Sequence, residues 1–304
     1  MKHLFIINPV SGSKKAQDYI PFIEEYFKTH ATDDTYEIVF TEYERHGVEI
    51  SRKFVEAGGK RVYTAGGDGS LNEVINGIAG TDCEVGILPA GTGNDFIKVL
   101  TDKKDYKDIV RRTIEGEVIK VDAMKIFEDE VYDYSVNILS VGLDAEAAYN
   151  SKYFTEKFKI TGMASYLLGF AKSLFNKKTS IDIRVTLDKK IIFDGKALIA
   201  ACTNGRYYGG GFIPVPHTKF DDGIIDICII KEKSIPFMLK VLPLFMKGKH
   251  QNQDGVLFFK GKSISLESKE MPFRVNIEGE IVERSKVDFE IIPKFINMIK
   301  PKPL

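Results

Sequence analysis

Cysteine, histidine and net charge are all scarce in this chain of 304 residues, and each shortage removes a class of function. The three cysteines, Cys83, Cys202 and Cys228, lie far apart and share no pairing or metal-ligand spacing. Each sits among apolar neighbours, as buried thiols of a reducing compartment do. The five histidines (His3, His30, His46, His217 and His250) are scattered, which argues against a zinc site. Lys plus Arg number 43, as do Asp plus Glu, so nothing pulls the whole chain toward nucleic acid, and a basic patch can act only locally, as on an anionic membrane. No apolar stretch reaches the roughly 20 residues that span a bilayer, and no long apolar region with a small-residue cleavage site follows Met1. There is no repeat, low-complexity tract or Pro/Ser-rich linker. The expectation is a soluble, cytoplasmic protein of 34.2 kDa with two domains packed directly on each other.

What the chain does have is glycine in dense, polar turns. Thr64-Ala65-Gly66-Gly67-Asp68-Gly69-Ser70 joins the apolar run Arg61 to Ala65 to a helix-like run, Leu71 to Ala79. Glycines let backbone N–H groups approach an anion closely, Ser70 is placed to cap the following helix, and a helix N-terminus carries partial positive charge. Phosphate is the natural guest of such a turn. Asp68 would repel it unless a divalent cation, Mg2+ with its own waters, lies between, so Asp68 reads as a metal-holding residue in phosphoryl transfer. The plainer reading is a tight turn with a solvated carboxylate.

The surrounding segments alternate between strand and helix. His3 to Asn8 is a strand, Val10-Ser11-Gly12-Ser13-Lys14-Lys15 a turn, and Ala16 to Lys28 a helix. Tyr36 to Thr41 is a strand, His46 to Ala57 a helix, and Glu84 to Leu88 a strand. This spacing indicates a parallel, helix-covered sheet, whose ligands lie beyond the carboxyl ends of the strands. A second glycine turn, Pro89-Ala90-Gly91-Thr92-Gly93-Asn94-Asp95-Phe96, falls at that end too, with helix capping by Asn94 or Asp95 as its structural alternative. Asp122 adds a carboxylate at a strand end.

From about Ala123 the pattern changes to short alternating segments separated by turns, the signature of an antiparallel sandwich. Two helical stretches interrupt it, Tyr153 to Phe175 and Ser234 to Lys247. Lys219-Phe220-Asp221-Asp222-Gly223 reads as a hairpin turn or as a hard-cation site. Glu278-Gly279-Glu280 offers carboxylates at i and i+2, either of which could serve as a general base. The expected fold is an α/β N-terminal nucleotide-binding domain plus a C-terminal antiparallel β-sandwich domain, with an active-site cleft between them.

Asn8-Pro9-Val10-Ser11-Gly12, Gly66-Gly67-Asp68-Gly69-Ser70, Gly91-Thr92-Gly93-Asn94-Asp95-Phe96, Asp221-Asp222-Gly223 and Glu278-Gly279-Glu280 together resemble the diacylglycerol kinase catalytic-domain family, in particular its soluble bacterial lipid kinases. The central turn alone is shared with NAD kinases and phosphofructokinases. The resemblance spans nearly the whole chain and implies a nucleotide domain of residues 1–122 with 295–304, and a lipid-substrate domain of residues 123–294. It implies that Asn8, Ser11, Gly12, Thr41, Gly66, Gly67, Asp68, Gly69, Ser70 and Thr92 bind ATP, and that Asp68, Asp95 and Asp122 hold a catalytic Mg2+ network largely through water. It also implies Glu280 as the base, and a structural Mg2+ at Asp222 with the carbonyls of Lys219 and Ile224. Ser70 replaces the family's usual threonine, and Glu278 stands where aspartate is common.

The resemblance implies transfer of the γ-phosphate of ATP to a lipid hydroxyl, with diacylglycerol the leading acceptor and phosphatidic acid the product. A sphingoid base, phosphatidylglycerol, a prenol or NAD are alternative acceptors, and a non-catalytic nucleotide- or lipid-binding regulator is the rival from another class. The expected partners are a membrane lipid and, transiently, the inner face of the membrane, with no nucleic acid; an exposed sheet edge would admit a homodimer. Tyr153 to Lys178, in which Phe154, Phe158, Tyr166, Leu168 and Phe170 alternate with Lys157, Lys172, Lys177 and Lys178, is the expected membrane contact, with ordinary core packing as the alternative.

Overall fold

The structure, a computed structural model, describes residues 1–30, 33–101, 108–128, 131–160, 162–175, 180–269 and 272–304. It divides into two units, Met1–Val121 with Lys294–Leu304, and Asp122–Pro293. Lys177 and Lys178 lie outside the described residues. Among the described residues no helix is long and apolar enough to cross a membrane.

In the first unit the strands Lys2–Ile7, Arg61–Gly66 and Glu84–Pro89 read as nearly unbroken apolar runs because they are buried on both faces, whereas the edge strand Thr35–Phe40 is largely exposed. Strand β1 (Lys2–Ile7) is buried from His3 onward. A 3-10 helix (Ser11–Tyr19) and then α1 (Ile20–Thr29) follow, in place of the one helix expected over 16–28. Pro21 in the first turn of α1 accounts for the break, since proline suits a helix start and cannot donate to a preceding turn. Next come β2 (Thr35–Phe40), α2 (His46–Glu56), β3 (Arg61–Gly66), α3 (Asp68–Ile78), β4 (Glu84–Pro89), α4 (Ile97–Leu100), α5 (Ile109–Ile114) and the start of β5 (Glu117–Glu128). The strands lie in the order β2-β1-β3-β4, all parallel. Phe5 stacks on Tyr63 with 4.4 Å between ring centroids, and Ile7, Ile23, Phe27, Leu88 and Ile114 fill the core around them.

The second unit contains β6 (Val131–Ser135), β7 (Ile138–Gly142), α6 (Leu143–Phe158), α7 (Met163–Phe175), β8 (Ile181–Leu187), β9 (Lys190–Thr203), β10 (Ile225–Lys231), α8 (Ile235–Met246), β11 (Val256–Gly261), β12 (Ser263–Ser268), β13 (Phe273–Ile277), β14 (Glu280–Arg284) and most of β15 (Lys286–Lys300). Its strands run antiparallel in the order β14-β13-β7-β9-β8-β12-β15, with β10 between β9 and β11. Strand β9 serves two layers: Lys190 to Ala197 pair with β8, whereas Ile199 to Thr203 pair with β7. Between the layers lie Ile183, Val185, Ala200, Ile227, Leu266, Val275 and Phe289. On the outer face of β9 and β10, Leu198, Cys228 and Ile230 meet Ala147, Tyr166, Phe170, Val241 and Phe245 of the helices. A small apolar pocket remains there, lined by side chains including Leu143, Phe170, Leu198, Ile230, Met238 and Phe245.

The helical stretch expected over 153–175 is two helices. α6 begins ten residues earlier at Leu143, and the chain breaks at Lys159 (φ 57°) and Gly162 (φ 68°). The early turns of α6 escape an apolar-pattern reading because Asp144 and Asn150 are buried with polar partners: Asp144 accepts from Ser140, Tyr166, Tyr208 and Asn276, and Asn150 donates to Ser173 Oγ at 2.8 Å. Strand β15 ends in the first unit, where Asn297 and Met298 pair in parallel with Glu84 and Val85 of β4.

Helices α2 and α3 close on Gly77, where an added Cβ would lie 1.9 Å from Ser51 Oγ and 2.6 Å from the Val48 carbonyl oxygen. Gly77→Ala is therefore expected to destabilise the protein by about 1–3 kcal/mol. Gly69→Ala, in the same helix with open space around its Cβ, should be neutral or stabilising by up to about 1 kcal/mol. Thermal melting of the two variants checks the contrast.

Candidate active site

Three loops meet at the carboxyl ends of β1, β3 and β4, and glycine lets them approach backbone to backbone. A Cβ on Gly91 would lie 2.4 Å from the Gly67 Cα, and one on Gly12, whose φ is +54°, would lie 1.8 Å from the Ala90 carbonyl oxygen. The N–H groups of Ala90 and Gly91 both donate to the Gly66 carbonyl, at 2.9 and 3.1 Å. Asn8 ties the first loop in: its N–H donates to the Ala65 carbonyl at 3.0 Å and its Nδ2 to Ser70 Oγ at 3.1 Å. Ser70 is thus not the helix cap expected of it. It lies inside α3, behind Gly67 at the N-cap. Asn94, with φ +48°, closes the second glycine loop on itself, accepting from Gly91 N–H and donating to the Gly91 carbonyl, both at 2.8 Å.

Asp68 opens α3, and its Oδ1 accepts the N–H groups of Asp95 at 2.7 Å and Phe96 at 3.2 Å. Lys98, one turn beyond Asp95, holds the other carboxylate, with Nζ 2.6 Å from Asp95 Oδ1. The two carboxylates converge over Gly93: a Cβ there would lie 2.8 Å from Asp68 Oδ2 and 3.3 Å from Asp95 Oδ2. Burial, and next the charge of Asp95, push the Asp68 pKa up to about 6, against the opposing pull of the Phe96 and Asp95 N–H groups and of Lys98. Two carboxylates packed together over a residue with no side chain fit a hard divalent cation, which relieves their repulsion. Among the described residues no three His, Cys, Asp or Glu side chains gather to enclose a metal. A cation held here would thus take its remaining oxygens from water and phosphate.

The first main-chain bond of α3 is Leu71 N–H to the Gly67 carbonyl, so the N–H groups of Asp68, Gly69 and Ser70 precede the helical ladder, as an anion site requires. Ser11 and Gly12 open the 3-10 helix that follows the first loop, Thr92 is exposed in the second, and Thr41 follows β2 with its N–H on the Ile7 carbonyl at 2.9 Å. Lys98 was not singled out from the sequence, although its i+3 spacing from Asp95 is a readable signal.

The remaining sequence candidates belong to the second unit. Asp122 is not at a strand end; it lies within β5, fully buried. Its Oδ2 accepts Gly223 N–H at 2.6 Å, its N–H donates to the Phe220 carbonyl at 2.8 Å, and its own carbonyl accepts Asn204 Nδ2 at 2.9 Å. It therefore pins the turn that carries Lys219, Asp222 and Ile224. There Asp222 is exposed and its Oδ1 accepts Ile224 N–H at 3.2 Å, an Asx turn.

Glu278 and Gly279 form the two-residue turn between β13 and β14, with φ 52° and 95°. Glu278 Oε1 accepts Ser135 Oγ at 2.5 Å and Asn137 N–H at 2.7 Å. Asn276 braces the same turn, accepting Gly279 N–H at 2.9 Å and donating to Asp144 Oδ2 at 3.2 Å. Glu280, the first residue of β14, is half-buried. The two glutamates, equivalent by spacing, are thus distinguished by their surroundings: Glu278 anchors the turn that delivers Glu280.

A model of the diacylglycerol kinase catalytic domain matches residues 2–126, and one of the YegS C-terminal NAD kinase beta sandwich-like domain matches residues 137–300. This chain belongs to the diacylglycerol kinase catalytic-domain family. A protein of Staphylococcus aureus strain MSSA476 named "Putative lipid kinase SAS0691" is 31% identical over 244 residues, covering 78% of this chain and 76% of that one. A relative from strain JH9 that carries the same description is 30% identical over the same length. Two solved structures from Bacillus anthracis share the fold. One, titled a diacylglycerol kinase, has a TM-score of 0.73 at 20% identity, covering 98% of this chain and 96% of that one. The other, titled a putative diacylglycerol kinase, has a TM-score of 0.78 at 24% identity, covering 98% and 97%. Kinase membership and the two-domain architecture with a C-terminal sandwich therefore stand, and ATP use follows from the family.

Asp68 sets a pH dependence. Its folded pKa of about 6 exceeds the ordinary 3.8, so between those values the folded state binds more protons and stability falls as pH rises; above about 6 the whole penalty is in force. Asp68→Asn removes the charge and keeps the Oδ1 acceptor. Its melting temperature should exceed that of the parent at pH 8, with the gap closing as pH falls from 6 toward 4. A variant that melts lower at pH 8 would contradict the assignment.

Proposed function

We propose that the protein is an ATP-dependent lipid kinase that transfers the γ-phosphoryl group to a lipid hydroxyl, with diacylglycerol as acceptor and phosphatidic acid as product. The observation that carries the reading is the Asp68–Asp95 pair, set over Gly93 beside the unladdered N–H groups of α3. A carboxylate pair beside an anion site makes chemical sense where phosphate and a divalent cation bind together.

In this reading Asn8, Ser11, Gly12, Thr41, Gly66 to Ser70 and Thr92 receive the nucleotide. Asp68 and Asp95 would hold Mg2+ largely through water, Asp122 would keep the role of bracing the Gly223 turn, and Asp222 with the Lys219 and Ile224 carbonyls would take a structural Mg2+. Magnesium, when bound, neutralises charge on the transferring phosphoryl group. Glu280 accepts the proton of the lipid hydroxyl as its oxygen bonds to the γ-phosphorus and the bond to the ADP oxygen breaks. Little covalent work falls to the protein, so positioning and electrostatics supply most of the rate. The acceptor lies in a bilayer, which makes the protein peripheral at the membrane.

NAD is the acceptor that a second reading would favour, because the sandwich model that matches residues 137–300 is described as NAD kinase-like. Incubating the purified protein with Mg-ATP and, in parallel, diacylglycerol micelles or NAD decides between them. Phosphate transfer to diacylglycerol alone is expected; transfer to NAD alone would replace the lipid reading, and no transfer to either would favour a regulator.

Within the lipid reading Glu280→Gln should lower kcat by roughly 10²- to 10⁴-fold with KM for ATP little changed. Glu278→Gln keeps an acceptor for Ser135 and Asn137 and should be mild. Equal losses in the two variants would remove Glu280 from the role of base.

A further inference from the structure

We infer that the outer face of α8 docks the protein on an anionic lipid bilayer, a partner assignment that rests on the reading of the acceptor as a membrane lipid. The twelve residues of α8, Ile-Pro-Phe-Met-Leu-Lys-Val-Leu-Pro-Leu-Phe-Met, include one polar side chain, Lys240. A helix lying on a soluble domain normally shows water a polar face. Here Met238, Val241 and Phe245 point into the unit, while the opposite face carries Ile235, 49% exposed, Leu239, 56% exposed, and the exposed Pro236 and Pro243. Such a face marks an interaction site.

Charge identifies the occupant. Lys231 and Lys233 precede the helix, Lys233 being paired with Asp254 at 2.6 Å, Lys247 and Lys249 follow it, and Glu232 is the one carboxylate in sequence between Lys231 and Lys249. An apolar strip with cations at its middle and both ends suits a plane of anionic headgroups, into which the apolar side chains dip while lysine stems reach outward. Pro243 adds a second argument. It cannot donate to the Leu239 carbonyl one turn back, and an acceptor left without its helical partner is better served in a hydrated headgroup layer than in a dry protein interface.

In the stretch expected for this role from sequence, Tyr166 and Phe170 of α7 are buried and Lys172 and Lys157 sit over the Tyr153 ring, at 4.1 and 5.3 Å from its centroid, while Phe158 and Leu168 are exposed, so that stretch is the competing face.

The chain has no tryptophan, so Leu239→Trp places the sole indole on the α8 face and Leu168→Trp places it on α7. The probe is unilamellar vesicles of phosphatidylcholine with or without phosphatidylglycerol, in the absence of ATP. Indole emission of Leu239→Trp should move to the blue with phosphatidylglycerol vesicles, reverse with salt, and stay put with phosphatidylcholine alone, while Leu168→Trp does not respond. Replacing Lys240, Lys247 and Lys249 together by Gln should weaken vesicle binding roughly 100-fold. The replaced side chains are exposed, so melting temperatures should hold, and turnover of a water-dispersed short-chain diacylglycerol should persist. No shift for Leu239→Trp, or a shift for Leu168→Trp instead, would overturn the inference. So would a blue shift without vesicles that grows with protein concentration, which would assign the face to a second copy of the chain. Vesicle binding without any lipid phosphorylation would instead fault the kinase reading and leave the docking face in place.

Discussion

The hydrogen bonds from the Asp95 and Phe96 N–H groups to Asp68 Oδ1 are the constraint on which the first unit's loops depend. They draw the loop after β4 onto the start of α3 and so force two carboxylates together. That proximity is unfavourable in itself, as the raised Asp68 pKa records. Gly91 and Gly93 follow from it, because an added Cβ would lie 2.4 Å from the Gly67 Cα and 2.8 Å from Asp68 Oδ2, respectively, and at Gly67 the fit would be tight, 3.2 Å from the Gly91 Cα. Lys98, paired with Asp95, offsets part of the repulsion. A cluster that costs folding energy in this way persists where function needs it.

The second unit has its own organising carboxyl group, Asp144. Four donors from separate segments converge on it: Ser140 from β7, Tyr166 from α7, Tyr208 from the loop after β9, and Asn276 from β13. Burial and the adjacent Asp144 hold both tyrosine hydroxyls protonated far above their ordinary range, so they remain donors at any physiological pH. Through Asn276 this hub reaches the Glu278–Gly279 turn, and so sets where β14 begins.

The parallel strands and glycine loops of the first unit were legible because unbroken apolar runs and glycine clusters are local signals. Asn8, Gly12, Gly66 to Ser70 and Asp95 could be read together for the same reason. What escaped depends on partners distant in sequence. The start of α6 looks too polar for a buried helix until Asp144 and Asn150 are seen with their partners. Asp122 read as a strand end because β5 runs on past it, and its tie to Gly223 spans 101 residues. The exposure of Ile235 and Leu239 was equally hidden, since an apolar helix gives no sign in sequence of which face meets water.

Strand β15 closes the chain's path in a way that bears on synthesis. The first unit borrows Lys294–Leu304, and buried Met298 pairs with β4, a strand made more than 200 residues earlier. On a ribosome, residues 1–121 would emerge with one flank of β4 unpaired and part of their core open. The continuous segment Asp122–Pro293 holds its own strands and can close first. The nucleotide-type unit, though first in sequence, is thus the last to be completed. Until then its β4 edge is the point at which a nascent chain would need shielding from other strands.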